Sequence, residues 1–276
     1  MRFRLYREYG ALNSKPVFDA FEQGVKSLGH EISFTDGIPV IWSVLWSGRM
    51  SHNERIFNSH SPIVIIEVGN LRRGATWRIS LNHINSLGKF GNDIDLDPHR
   101  PEKLGVKLGD IKENRRPEIM IATQHQRSLQ WQGQPPIVNW VQDTIKKIRQ
   151  HSDRKIVVRP HPRSPISVKI PGIEIGLPRP VAGTYDDFDI DYNCHCVINH
   201  NSGPAVQAAI FGTPVICDST SLAGEISGKF EEIENIKLPQ RDDWFLKLCH
   251  TEWTVNEIAK GLPLKRLELE LLRSIP

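Results

Sequence analysis

In KIVVRPHPR, Arg159 and His161 leave the end of an apolar run, with prolines on both sides of the histidine. Each proline fixes its own backbone and restricts the residue before it, so neither side chain can fold away. A guanidinium and an imidazole at one strand end are suited to holding an anion. About forty residues on, VINHNSGPAVQAAIFGTPVICDST (197–220) reads as strand, helix and strand. Ser202 stands where an N-cap belongs, Pro204 at N1, and Gly212 where a left-handed C′ residue closes a helix. Gly203 removes side-chain bulk where the first backbone amides point outward, and those amides with the helix dipole favour negative charge. Taken alone, the segment also reads as a well-capped packing helix, with Ala205, Ala208 and Ala209 against a sheet. Two strand ends of one open α/β sheet share a rim, where such sheets bind ligands. Together, the two segments make a phosphate or diphosphate pocket.

The elements that must position these residues form two βα series. The first opens with a strand in RFRLYRE, then KPVFDAFEQGVKSLGH, a helix with Val17, Phe18, Phe21, Val25 and Leu28 on one face and Gly29 at its end. Strands follow in IPVIWSVLW and SPIVIIEVGN, the latter apolar until Glu67, as suits a strand buried on both faces of a parallel sheet. Residues 70–116, rich in Gly, Asn and Arg, read as long loops of the kind that carry function. After the charged link NRRP the pattern restarts with IMIAT, and PPIVNWVQDTIKKIRQHS is an amphipathic helix. The tail, 244–273, reads as mostly helical. This order implies an α/β protein with an N-terminal domain over 1–116, a second over 117–250 and a helical segment over 251–276.

Composition narrows the class. The 276 residues are 39% hydrophobic and 24% charged, as in soluble globular proteins. No apolar run nears the roughly 20 residues of a membrane span, and the N-terminus lacks the apolar core of a secretory signal, so the expected location is cytoplasmic. Residues 1–116 hold 17 Lys/Arg against 13 Asp/Glu, so the small positive excess lies in the first half. That excess fits ordinary surface or an anionic partner. Cys194, Cys196, Cys217 and Cys249 lie in or beside apolar runs and read as small hydrophobes. Consecutive Cys194-His195-Cys196 lacks a second ligand pair at metal-site spacing, and no metal is expected. DDFDID (186–191) contains Asp-x-Asp but reads more simply as an acidic loop.

The stretch RPHP…NHNSGPAVQAAIFGTPVI resembles the donor-binding half of GT-B-fold glycosyltransferases, especially the capsular-polysaccharide and Kdo-transferase-like group, over about 155–220. More loosely, VIIEVGNLRRGATWRISLNHINSLGKFGND and RDDWFLKLCHTEWTVNEIAKG are similar to small GT-B-like proteins of bacteriophages and bacteria. The resemblance implies two Rossmann-like domains with a cleft between them and C-terminal helices crossing back to the first. It implies a nucleotide-sugar donor, a UDP-sugar by expectation, in the second domain and no further cofactor. Host cytoplasm is the implied location for a phage-encoded chain. Phage DNA glucosyltransferases share the fold but no residue motif with this chain.

By that resemblance Arg159 and His161 neutralise the donor's phosphates, and Ser202 with the Gly203 amide binds them from the helix end. Glu225, in SLAGEIS, holds ribose hydroxyls or is a solvated loop residue. Gln124 faces the same rim and could touch base or sugar. An inverting transfer needs a group to take the acceptor hydroxyl's proton, and the leaving phosphate needs cations. Glu67 is the first candidate base and Asp93, in the FGND loop, the second; a structural Glu67 paired with an arginine is the competing reading. Arg72 and Arg73 would hold the acceptor or the charge of Glu67, and Trp77, flanked by arginines, would stack on it, whereas Trp42 reads as core. The acceptor reading is a 5-hydroxymethylated pyrimidine in double-stranded DNA. A cytoplasmic glycan or capsule precursor, a UDP-sugar epimerase-like reaction and a non-catalytic nucleotide-binding domain stay open.

Overall fold

The computed structural model describes residues 1–184 and 187–274. Two compact units are present, Met1–Val106 with Leu246–Pro276, and Lys107–Phe245. The first contains β1 (Arg2–Leu5), α1 (Lys15–Ser27), β2 (Glu31–Ile32), β3 (Ile38–Trp42), α2 (His52–Ser59), β4 (Val64–Val68), β5 (Trp77–Leu81) and α3 (Arg100–Leu104). The second contains β6 (Ile119–Ala122), α4 (Ile137–Arg149), β7 (Ile156–Arg159), β8 (Glu174–Ile175), β9 (Cys196–Ile198), α5 (Gly203–Phe211) and β10 (Val215–Ile216). Then α6 (Asp242–Cys249) leads back to the first unit with β11 (Glu252–Trp253), α7 (Val255–Ala259) and α8 (Leu262–Ser274).

The first unit is built on a six-stranded sheet of order β11-β5-β4-β3-β1-β2. Strands β2, β1, β3 and β4 run parallel, while β5 is antiparallel to β4 and β11 antiparallel to β5. Helix α1 buries Val17, Phe18, Phe21 and Val25, as its spacing implies, and the chain turns at Gly29 with φ +73°. Its Gly24 lies so near α7 that a Cβ would strike the Ile258 carbonyl oxygen. Two expectations for this half need correction. The loop-rich span 70–116 contains β5, whose Trp77, Ile79 and Leu81 enter the core while Arg78 and Ser80 take the opposite face. Strand β4 is buried up to Glu67 as expected, but in a mixed sheet, with an antiparallel neighbour on one side.

The second unit has an all-parallel sheet of order β10-β9-β6-β7-β8. Its core joins Ile119, Ile121, Val141, Ile148, Ile156, Val158 and Ile198. Connections leave β6 toward β7 on one side and return to β9 on the other, so the carboxyl ends of β6, β7 and β9 frame a topological switch point. Helix α5 buries Ala205, Ala208 and Ala209 completely or nearly so, which lets it lie close. It ends at Gly212, whose φ of +102° suits only glycine, because a Cβ there would also meet the Asp110 carbonyl. Both units are Rossmann-like. Among the described residues no helix is long and apolar enough to cross a membrane.

Candidate functional site

At the carboxyl end of β6 two consecutive residues reach to opposite neighbours. Thr123 Oγ1 accepts the His161 amide at 3.1 Å, from the turn after β7. Gln124 Oε1 accepts the Asn201 amide at 2.9 Å, from the turn between β9 and α5. The imidazole and the start of α5 therefore flank one strand end. Gln124 itself is 3% exposed, and its Nε2 donates to Ser128 Oγ. It clamps the two loops together at the rim where its position in the sequence places it. Gln130 Nε2 also donates to the Asn201 carbonyl at 2.6 Å, and His200 Nε2 donates to the Gln130 carbonyl while its ring meets the edge of Trp131. The rim is thus braced on the β9 side.

Ser202 occupies the N-cap position with extended φ of −147°, but its side chain makes no capping hydrogen bond. Its amide donates to Asn199 Oδ1 at 2.8 Å and its hydroxyl accepts from Asn199 Nδ2 at 2.9 Å. Pro204, in the first turn, has no N–H to contribute. The first turn of α5 presents backbone amides and its dipole at the rim without a side-chain oxygen folded over them.

Arg159 differs from its expected role. It is 8% exposed, its guanidinium bonds the Met120 sulfur and lies 5.1 Å from the Tyr192 ring centre, and burial pulls its pKa down. It is still within β7, paired in register with Ala122, so its side chain follows the sheet face instead of the rim. The exposed rim cations are Arg127 and Arg163. Each follows a histidine by two residues. The Arg127 amide donates to His125 Nδ1 and the Arg163 amide to His161 Nδ1, both at 3.1 Å. The two rings meet edge to face with centres 5.4 Å apart. His125, Arg127 and Arg163 are functional candidates that the sequence reading misses, yet His-x-Arg occurs after both strands and is the signal that shows the pairing. Burial, then the charges of Arg127 and Arg163, lowers the pKa of His125. Glu225 lies exposed on a short turn over Gly224–Ile226, beyond β10.

In the first unit Glu67 is half-buried at the end of β4. Its Oε2 accepts from Ser43 Oγ at 2.7 Å and its Oε1 from the Val68 amide at 2.8 Å. Ser43 sits just past β3 with φ +62°, an uncommon angle for a side-chain-bearing residue and one met at functional sites. Across the sheet, Arg78 is paired with Glu67 on one side and Glu252 on the other. Arg78, not Arg72 or Arg73, is the cation in that row. Arg72 instead donates to the Leu104 carbonyl at 3.1 Å, and Arg73 is half-buried in the same loop. Glu252 is completely buried and accepts the Asn70 and Leu71 amides and the Thr76 hydroxyl, shaping the 70–76 loop. Trp77, expected to stack on an acceptor, is 7% exposed and part of the core. Trp42 is core, as expected. Asp93 is exposed and 3.4 Å from Arg266 of α8, whose guanidinium also bonds the Phe90 carbonyl.

Among the described residues no cluster of three or more His, Cys, Asp or Glu is placed to hold a metal. Cys194 and Cys196 are buried, burial pushes the Cys194 thiol up to about 12, and His195 Nε2 donates to the Ile233 carbonyl. In the acidic loop Asp189 accepts the Arg179 amide and Asp191 pairs with Arg116; Asp186 lies outside the described residues.

No protein-family model matches the chain, and no curated protein matches it. Solved structures do. KpsC of Thermosulfurimonas dismutans, as the beta Kdo 2,4 transferase, aligns with 95% of this chain and 98% of its own at 11% identity and a TM-score of 0.54. The beta Kdo 2,7 transferase of KpsC from the same organism aligns with 96% and 99% at 15% identity and a TM-score of 0.48. A UDP-GlcNAc 2-epimerase of Methanocaldococcus jannaschii, in complex with UDP-GlcNAc and UDP, covers 99% of both chains at 11% identity and a TM-score of 0.33. At 11% identity the likeness to the beta Kdo 2,4 transferase is one of fold: two Rossmann-like domains of the GT-B kind.

Proposed function

We propose that the protein is a glycosyltransferase that moves a sugar from a nucleotide-sugar donor to a hydroxyl acceptor. One observation carries the reading: Thr123 and Gln124, neighbours at the end of β6, hold the His161 turn on one side and the start of α5 on the other. An imidazole donor and an uncapped helix start on one rim suit the phosphate of a leaving nucleotide. In the transfer, the bond from the anomeric carbon to the donor's phosphate oxygen breaks. The charge left on that oxygen is taken up by the His161 Nε2–H and the amides around Gly203. A new bond forms from the anomeric carbon to the acceptor oxygen. In direct displacement the acceptor proton passes to a general base, and the first unit's candidate for that role is Glu67, whose carboxylate Ser43 and the Val68 amide hold in place.

The acceptor reading, a 5-hydroxymethylated pyrimidine in duplex DNA, keeps Arg72 and Arg73 as cations of the 70–76 loop but loses Trp77 to the core. The test uses radiolabelled UDP-, GDP- and CMP-sugars with hydroxymethylated DNA, plain DNA and a capsule-type glycan precursor as acceptors. Label on an acceptor is the expected result, and the labelled acceptor decides between DNA and glycan. Label only in an isomerised donor, or no donor binding by thermal shift, overturns the proposal. His161→Ala should abolish the donor-induced rise in Tm.

A further inference from the structure

His250 uses its two ring nitrogens in opposite senses to join two parts of the first unit. Nδ1 lies 2.8 Å from the Leu246 carbonyl oxygen, which can only accept, so the ring proton is on Nδ1. Nε2 is left with a lone pair and accepts the Asp97 amide at 3.0 Å. The bond to Asp97 closes a strap over residues 90–97. Arg266 of α8 holds its start, donating to the Phe90 carbonyl at 2.9 Å and to the Asn92 carbonyl and Asp93 carboxylate. His250 holds its end. Between these anchors Asn92, Asp93, Ile94 and Asp95 are exposed, Ile94 by 87%, so the segment buries little surface of its own.

A proton and the Asp97 amide compete for one lone pair. An imidazolium would set Nε2–H against the Asp97 N–H, donor against donor. Burial, then Arg266 of α8 and Arg100 of α3, opposes protonation, while the Leu246 carbonyl and the Asp97 carboxylate favour it. Those charges have partners of their own: Arg100 pairs with Glu257, Arg266 with Asp93 and Asp97 with Lys103. The bond from Lys103, first among its causes, holds the Asp97 carboxyl below its ordinary value, so it stays ionised while a histidine titrates. The Asp97 carbonyl and Oδ1 accept the Arg100 and His99 amides, so the turn into α3 survives loss of the histidine bond.

We propose that His250 is a pH-operated latch: acid protonates Nε2, expels the Asp97 amide and frees the end of the 90–97 strap, while Arg266 keeps its start. The latch is independent of the donor-site reading.

Residue-level amide hydrogen exchange, corrected for the intrinsic rate, tests it. From about pH 7.5 to 5.5 the opening constant of the Asp97 amide should rise about tenfold beyond any change at the core amides of β4. That is the shift expected for opening coupled to one proton on a histidine near 6.5. His250→Gln retains a side-chain oxygen for the amide but does not titrate, so the excess should vanish. His99→Gln, at the neighbouring exposed histidine, should keep it. An Asp97 amide in native protein that shows no excess overturns the proposal, as does a His250→Gln variant that retains it. Should His250→Gln lower Tm sharply, heteronuclear NMR of native protein decides: the His250 ring and the Asp97 amide should titrate together. A ring that titrates while the amide signal stays still overturns the latch equally.

Discussion

Asn199 turns Ser202 away from the helix that it precedes. The Asn199 carboxamide accepts the Ser202 amide at 2.8 Å and donates to its hydroxyl at 2.9 Å, while also donating to the Ala122 carbonyl at 2.8 Å. One buried side chain thereby stitches β9 to β6 and leaves the first turn of α5 facing the rim. In an ordinary cap the serine oxygen would cover those amides.

That arrangement inverts the usual mutational order. Ser202→Ala should cost clearly less than the roughly 1 kcal/mol typical of a capping serine. Asn199→Ala strands the buried Ala122 carbonyl and should cost about 1–3 kcal/mol. Urea denaturation of the two variants, compared at equal m-value, checks the ranking. A Ser202→Ala loss as large as that of Asn199→Ala would mean that the hydroxyl caps α5 after all.

Trp77 gives a second separation of structure from function. Its ring belongs to the core of the first unit and its residue pairs in register with Trp253. Trp77→Ala should cost about 3–5 kcal/mol, as large core truncations do. Trp77→Phe keeps an aromatic ring in the core, so it should cost less than the Ala variant and leave KM for the acceptor within about twofold. An acceptor KM raised many-fold in the Phe variant, at unchanged donor KM, would return the ring to the acceptor site.

Much of the second unit is legible in the sequence because its strands are short apolar runs cut by Pro and Gly, and because Ser202, Pro204 and Gly212 mark a helix by backbone chemistry alone. Side-chain direction is less legible. Arg159 and His161 are two apart and by spacing should leave the strand together, yet Arg159 is the last residue of β7 and follows the sheet face to Met120 and Tyr192. A guanidinium packed on a ring and a sulfur has no sequence signature. His125 escapes notice because no prolines flank it, although His-x-Arg recurs after both strands. In the first unit WRISL alternates cleanly, but the Gly, Asn and Arg around it hide the strand. Glu252, a buried carboxylate serving the 70–76 loop, depends on a pairing between β5 and β11 that are far apart in the chain, which local pattern does not reveal.

Acid should destabilise the protein before its carboxylates titrate. Burial is the first cause holding His30, His83, His125, His195, His200 and His250 below the ordinary value of 6.5. The unfolded chain takes up these protons near 6.5 and the folded chain only at lower pH. Stability from keeping them neutral is therefore whole above about 6.5 and lost as pH falls through that value toward the depressed ones. The Tm should be flat from about pH 8 to 7 and decline steadily from about 6.5 to 5. A Tm constant down to the bottom of that range would show that these rings keep their protons equally well in both states.

Glu67 offers the sharpest test of the transfer step. Glu67→Gln preserves the size of the side chain and an oxygen for Ser43 or the Val68 amide, so the fold and donor affinity should hold. If Glu67 is the base proposed above, the change removes the proton acceptor, and kcat should fall by roughly 10²–10⁴, the range general base catalysis contributes. Ser43→Ala deletes the hydroxyl that orients Oε2 while leaving the carboxylate, so its loss should be smaller and confined to kcat. Because Ser43 holds φ +62°, Ser43→Gly separates the backbone from the hydroxyl: it relieves the angle but still lacks the donor. Matching kcat losses in the Ala and Gly variants would assign the effect to the hydrogen bond to Glu67. Full turnover in Glu67→Gln would move the base elsewhere, with Asp93→Asn, at the Arg266 pair, the next variant to assay.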